Sequence, residues 1–167
     1  LIIGDGGQLP WLKSFIKREK ATNVTLLPFQ PKERLAGTLA ACDAGLVTLK
    51  SEATGYCVPS KFYGLLAAGK AVISVMDANC EVARVVRKHQ CGIVVPPDDG
   101  TGLADAIKEL SEDPDKTREY GEQARNCFDE FYSIENNAEA LGRILGEKRG
   151  ANEREVRAAC QEPPSPA

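Results

Sequence analysis

At 167 residues, 43% of them apolar and 6% aromatic, the chain is long enough to bury one sizeable core and reads as a single globular domain, not a disordered segment. Its 21 basic and 24 acidic residues leave a net charge of −3. That balance carries no overall footprint for nucleic acid or for an anionic membrane, so any anion must be captured locally. The six cysteines (Cys42, Cys57, Cys80, Cys91, Cys127, Cys160) are dispersed, and with the lone His89 they make no metal-ligand cluster. They read as reduced thiols of a cytosolic protein, mostly core fillers, ahead of a disulfide framework. No apolar run approaches the roughly 20 residues that span a bilayer.

The chain opens with Leu1-Ile2-Ile3 already inside an apparent strand and without a methionine, which suggests a fragment whose upstream part is missing. Gly4-Asp5-Gly6-Gly7 follows as a tight turn or a weak phosphate-loop signal, and Gln8 to Lys20 carries a helical stripe of Leu9, Trp11, Leu12, Phe15 and Ile16. Val24 to Leu27 reads as a second strand. Pro28-Phe29-Gln30-Pro31 breaks it, ahead of a helix over Lys32 to Ala41. Loops at the carboxyl ends of parallel strands carry ligands, so Phe29 is either beside a ligand or a packing residue under its loop.

A third strand over Asp43 to Leu49 leads into the polar loop Lys50 to Cys57, and then into Val58-Pro59-Ser60-Lys61, where a short helix begins. Pro59 needs no amide partner, Ser60 can accept a bond from a first-turn amide, and Lys61 adds a cation, so this helix start is a candidate anion site. An ordinary helix-to-strand connection fits the same spacing. Gly69 ends the helix, and Ala71 to Val75 is a buried strand. A helix over Cys80 to Lys88 and a strand at Ile93 to Val95 come next. Helices over Thr101 to Ser111, Pro114 to Phe128 and Ile134 to Glu147 complete the fold. Five strands alternating with helices predict an α/β, doubly wound parallel sheet over residues 1–149, with a polar, disordered tail at 150–167.

The order Pro59-Ser60-Lys61, an amphipathic turn, Ala67-Ala68-Gly69-Lys70 and an apolar strand resembles the donor-site helix of retaining GT-B glycosyltransferases of the family 4 type. The bacterial branch that builds colanic acid and other exopolysaccharides is most similar. Leu1 to Gly7 resembles that family's glycine turn, Asn23-Val24 with Leu27-Pro28 its base-side strand, and Leu39 to Asp43 the helix end before its next strand. Glu81-Val82-Ala83 and Gly92 to Asp98 resemble the segments that close its sheet, so the likeness runs from Leu1 to Gly146.

The resemblance implies the Rossmann-like C-terminal half of a GT-B enzyme, lacking its first strand, which would lie between the Leu1–Ile3 and Asp43–Leu49 strands. It implies a donor site for a UDP- or GDP-linked sugar, with Pro59, Ser60, Lys61, Gly4 and Gly6 at the diphosphate and Phe29 and Gln30 at the base. Gly55, Tyr56, Gly64, Glu52 and Glu81 would lie around the sugar and ribose. Many members carry glutamates at the positions of Tyr56 and Gly64, so Glu52 and Glu81 are the carboxylates left to take part of that role or to remain solvated. The resemblance assigns no metal, no cofactor and no catalytic residue. It implies a saccharide or lipid-linked saccharide acceptor, a missing N-terminal domain as partner, and a cytoplasmic enzyme with peripheral contact at the inner membrane. A nucleotide-sugar 2-epimerase, with His89 in a catalytic role, and a non-catalytic scaffold of a partner transferase are the competing readings.

Overall fold

The computed structural model describes residues 1–145. The expected helix end at Glu147, the polar tail and Cys160 lie outside the described residues.

The chain begins with β1 (Ile2–Ile3), α1 (Leu9–Glu19) and β2 (Leu26–Leu27), with Ile2 opposite Leu26 in a parallel pair. Lys20 closes α1 in the left-handed region at φ +53°. The helix expected over Lys32 to Ala41 is divided. Pro31 is extended, Lys32–Arg34 winds as a 3₁₀ turn in which Arg34 N–H donates to the Pro31 carbonyl at 2.9 Å, and α2 covers only Leu35–Ala40.

From β3 (Ala44–Thr48) the fold is regular: a 3₁₀ turn at Ser51–Ala53, α3 (Lys61–Ala67), β4 (Ala71–Val75), α4 (Glu81–Lys88) and β5 (Gly92–Val95). Helices α5 (Gly100–Glu112), α6 (Pro114–Phe131) and α7 (Ile134–Ile144) follow. The three strands form a parallel sheet in the order β3-β4-β5. Among the described residues no ladder joins β1 to β3, so the five strands make two parallel ladders where one sheet was expected. The interruption falls where the sequence places the absent strand.

β4 is central, and Ala71, Val72, Ile73 and Ser74 are all buried, as a strand covered on both faces requires. One core cluster gathers Val47, Phe62, Leu65, Leu66, Val72, Met76, Val82, Val86, Cys91 and Cys127 between the sheet and helices α3, α4 and α6. A smaller one holds Ala71, Ile73, Val95, Ala106 and Leu110 under α5. Burying each large apolar side chain contributes about 1.5–3 kcal/mol. Most of the stability therefore resides in the half that begins at β3, since no residue before Val47 is buried.

Three contacts fix α3, the helix on which the candidate site depends. Gly69 takes φ +63° beyond the helix, and its neighbour Lys70 donates its N–H back to the Leu65 carbonyl at 3.0 Å. Arg125 donates to the Ala67 carbonyl at 2.7 Å, a cation at the negative end of the helix. Gly121 of α6 approaches so closely that a Cβ there would stand 2.5 Å from the Gly69 carbonyl oxygen.

The described cysteines are all free, with Cys80, Cys91 and Cys127 buried, Cys42 half-buried and Cys57 exposed. Burial pushes the Cys91 thiol up to about 12.

Candidate functional site

The loop after β3 is built by its own backbone. Ala53 N–H donates to Lys50, Thr54 to Ser51, and the amides of Tyr56 and Cys57 both to Ala53, all within 3.1 Å. Gly55 sits at φ +87°, a conformation that a side chain would strain, and this turn throws Tyr56 outward to 92% exposure. The start of α4 faces this loop. There Cys80 is the N-cap, its Sγ accepting from Ala83 N–H at 3.5 Å, and Asn79 N–H donates to the Asp77 carboxylate at 2.8 Å.

Between the two segments, at the carboxyl ends of β3 and β4, lies a cavity of about 280 Å³. Leu49, Thr54 to Pro59, Asn79 to Val82 and Arg84 line it. Thr54 Oγ1 is the one side-chain polar atom among the described residues that is buried with no hydrogen-bond partner. An orphan of this kind costs stability unless something enters to pair with it. Arg84 and Lys61 have no ion pair among the described residues, leaving two exposed cations at or beside the cavity. Glu81, in the first turn of α4, contributes to raising the phenols of Tyr63 and Tyr132, though burial is the first cause in both. Tyr132 reaches about 12, and the two rings meet edge to face at 5.0 Å.

The expected residues divide into three groups. Gly55, Tyr56, Pro59 and Glu81 line the cavity. Ser60, Lys61, Gly64 and Glu52 do not: the first two stand at the head of α3, Glu52 is exposed on the 3₁₀ turn, and a Cβ on Gly64 would meet Leu39 at 3.4 Å. Gly4, Gly6, Phe29 and Gln30 belong to β1, β2 and their loops. Phe29 is 75% exposed, its N–H donates to the Asp5 carboxylate at 3.4 Å, and Gln30 donates to the Pro28 carbonyl at 2.9 Å. The glycine turn and the Pro-Phe-Gln-Pro loop are thus joined to each other, and neither lines the cavity.

One expectation about α3 is corrected. Ser60 is already helical at φ −60°, ψ −25°, and its hydroxyl makes no capping bond; the Pro59 carbonyl takes the Phe62 amide at 3.1 Å instead. The helix has seven residues, so its dipole offers little to an anion and recognition there falls to Lys61 and the loop. Thr54, Asn79, Cys80 and Arg84 are the cavity residues the sequence did not single out. Asn79 alone had a signal, its place just beyond the carboxyl end of β4.

A larger groove, of about 610 Å³, runs along Arg87, Gln90, Gly92, Asp113, Lys116 and Tyr120, beside the amino end of β5. Its polar groups are engaged: Arg87 donates to the Ala78 carbonyl at 2.9 Å, Asp113 caps α6 by accepting from Lys116 N–H at 2.9 Å, and Lys116 pairs with Glu109. The smaller cavity, with its orphaned hydroxyl and its position at the carboxyl ends of parallel strands, is the better candidate.

A sequence profile of the family described as "Glycosyl transferases group 1" matches residues 1–127. The chain belongs to the group 1 glycosyl transferases. Among its relatives is the probable glycosyltransferase WbjE of Pseudomonas aeruginosa, 34% identical over 110 residues, which cover 66% of this chain and 28% of the relative. Two solved structures share the fold. Sucrose-phosphate synthase from Thermosynechococcus elongatus superposes with a TM-score of 0.68 at 22% identity, over 94% of this chain and 38% of that one. WaaG, a glycosyltransferase involved in lipopolysaccharide biosynthesis, does so with a TM-score of 0.62 at 19% identity, over 86% of this chain and 37% of that one. This glycosyl transferase domain therefore spans less than two fifths of the length of each protein it matches, and both structural neighbours support the expected α/β, GT-B-type architecture.

Proposed function

We propose that this glycosyl transferase domain is the donor-binding half of a retaining enzyme of the family 4 type, which moves a sugar from a UDP- or GDP-linked donor to a lipid-linked saccharide during exopolysaccharide synthesis. The cavity between Thr54–Pro59 and Asn79–Arg84 carries this reading, because it joins an orphaned buried hydroxyl to unpaired cations at the carboxyl ends of the strands. Group 1 membership and the names of WbjE and WaaG support the reaction class.

In this reading the diphosphate lies across the Pro59–Lys61 corner and the sugar enters the cavity near Gly55 and Tyr56, where Thr54 and Asn79 offer hydrogen bonds. As the bond from the anomeric carbon to the phosphate oxygen breaks, negative charge develops on the leaving diphosphate. Fixed cations stabilise that charge more than they stabilise the ground state, and this difference lowers the barrier. Lys61 and Arg84 are the groups of this chain suited to it. Phe29 and Gln30 present an exposed aromatic face and an amide for the base. The acceptor site and the remaining catalytic groups belong to the partner half. His89 does not line the cavity and packs edge-on to Phe131 at 5.0 Å, which gives the epimerase reading no support.

Thermal melting with UDP and GDP tests the proposal. At a hundredfold excess over Kd, a ligand that binds only the folded chain stabilises it by about 2.7 kcal/mol, a rise of about 5–10 °C for a domain of this size. Lys61→Ala should remove most of that rise while leaving the ligand-free melting point within 1–2 °C, as expected for an exposed side chain without an ion pair. Absence of protection by either nucleotide in a folded chain would favour the scaffold reading.

A further inference from the structure

Helix α1 buries none of its residues. Leu9, Leu12 and Ile16 are half-buried along one side, whereas Trp11 is 59% and Phe15 37% exposed. Their rings stack at 5.3 Å with an interplanar angle of 25°, and the Arg18 guanidinium lies 5.1 Å above Phe15. Positions 11, 15 and 18 fall on one helical stripe, so the aromatics and the cation form a continuous outward ridge. The helix and its cap hold Lys13, Lys17, Arg18 and Lys20 against a single acid, Glu19, in a chain whose net charge is −3.

We propose that this ridge is a docking surface for an anionic phospholipid bilayer. Exposed tryptophan and phenylalanine suit the headgroup boundary, where an indole keeps its N–H wet while its rings leave water. Long basic side chains on the same helix extend to the phosphates as the aromatic ridge beds in. A second copy of the chain is the poorer occupant, because a two-fold contact through α1 would oppose four cations to four cations. The cationic segment also stands against the chain's acidic average, so attraction to an anionic surface would orient the protein with α1 toward it. The proposal is independent of the donor reading, since no residue of the ridge lines the cavity.

Trp11 is the only tryptophan of the chain, so its emission reports on this surface alone. The chain is titrated with vesicles of phosphatidylglycerol and phosphatidylcholine, and separately with phosphatidylcholine vesicles, with co-sedimentation as a second readout. The expected result is a blue shift and sedimentation with the anionic vesicles only, weakened in salt concentrated enough to shorten the screening length to about 3 Å. Lys13→Ala with Lys17→Ala should weaken binding about 25-fold, roughly fivefold for each cation, with an unchanged circular dichroism spectrum. A Trp11 spectrum unmoved by anionic vesicles, equal shifts on both compositions, or unchanged affinity in the double variant would overturn the proposal. So would a blue shift that grows with protein concentration in the absence of lipid, which would mark the ridge as a contact between copies.

Discussion

Replacing Thr54 with valine should stabilise the ligand-free chain and weaken its hold on the donor. Thr54 Oγ1 is buried without a partner, and leaving a buried polar group unsatisfied costs about 1–3 kcal/mol. Valine has the same shape and is at ease at φ −63°, ψ 129°, so the exchange removes the penalty without opening a cavity. The low end of that range, about 1 kcal/mol, corresponds to a melting point raised by about 2–4 °C. With donor bound the same hydroxyl makes a hydrogen bond, and its loss should cost about 0.5–1.5 kcal/mol, a two- to tenfold rise in Kd. Melting curves with and without UDP and GDP sugars, paired with calorimetric titration, read both effects. A Thr54→Val chain that melts lower than the parent and binds the donor equally well would refute the reasoning, since the hydroxyl would then be serving the fold and not the ligand.

Other consequences follow from the packing. A Cβ on Gly92 would stand 1.8 Å from the Val72 carbonyl oxygen in the neighbouring strand, so Gly92→Ala should part β4 from β5 and cost about 3–5 kcal/mol, read as a fall in the denaturant midpoint. Gly121→Ala, aimed at the Gly69 carbonyl 2.5 Å away, should shift α3 and reduce both stability and nucleotide affinity. Burial favours the neutral forms of Cys91 and Tyr132, raising the thiol from 9.0 and the phenol from 10.0 to about 12 each. The stability this gives is complete below pH 9 and is lost as pH climbs toward 12, so denaturant midpoints should be level up to pH 9 and fall above it; a level profile throughout would refute the assignment. Hydrogen exchange should be roughly a hundredfold faster in β1, α1 and β2 than in β4, because no residue before Val47 is buried.

The second half of the fold was legible because its signals are local. Ala71 to Val75 is an unbroken apolar run between a helix-ending glycine and an aspartate, and the strand has the predicted bounds. Asp99 before a helical stripe marked α5, and its carboxylate caps Gly102 N–H at 2.8 Å. The failures came where long-range geometry decides. Pro59-Ser60-Lys61 has the composition of a capped helix start, but capping requires an extended backbone at the cap, and Ser60 is already helical. Cys80 was read as the first helical residue, because sulfur is a weak acceptor and no usual sign of a cap. The cavity joins Thr54 to Asn79 and Arg84 across 25 residues or more, and only the pairing of β3 with β4 brings those loops together. The separation of β1–β2 from β3 depends on strand neighbours, which composition does not encode.

The central claim is that a nucleoside diphosphate sugar binds at the carboxyl ends of β3 and β4. Amide NMR of the isotope-labelled chain during titration with UDP and GDP sugars tests it most directly, because each residue reports its own position. The account predicts saturable shifts concentrated in Thr54 to Lys61 and Asn79 to Arg84, with smaller ones at Phe29 and Gln30. Shifts gathered instead around Arg87, Gln90 and Lys116, or none at concentrations at which both sugars are in large excess, would contradict it.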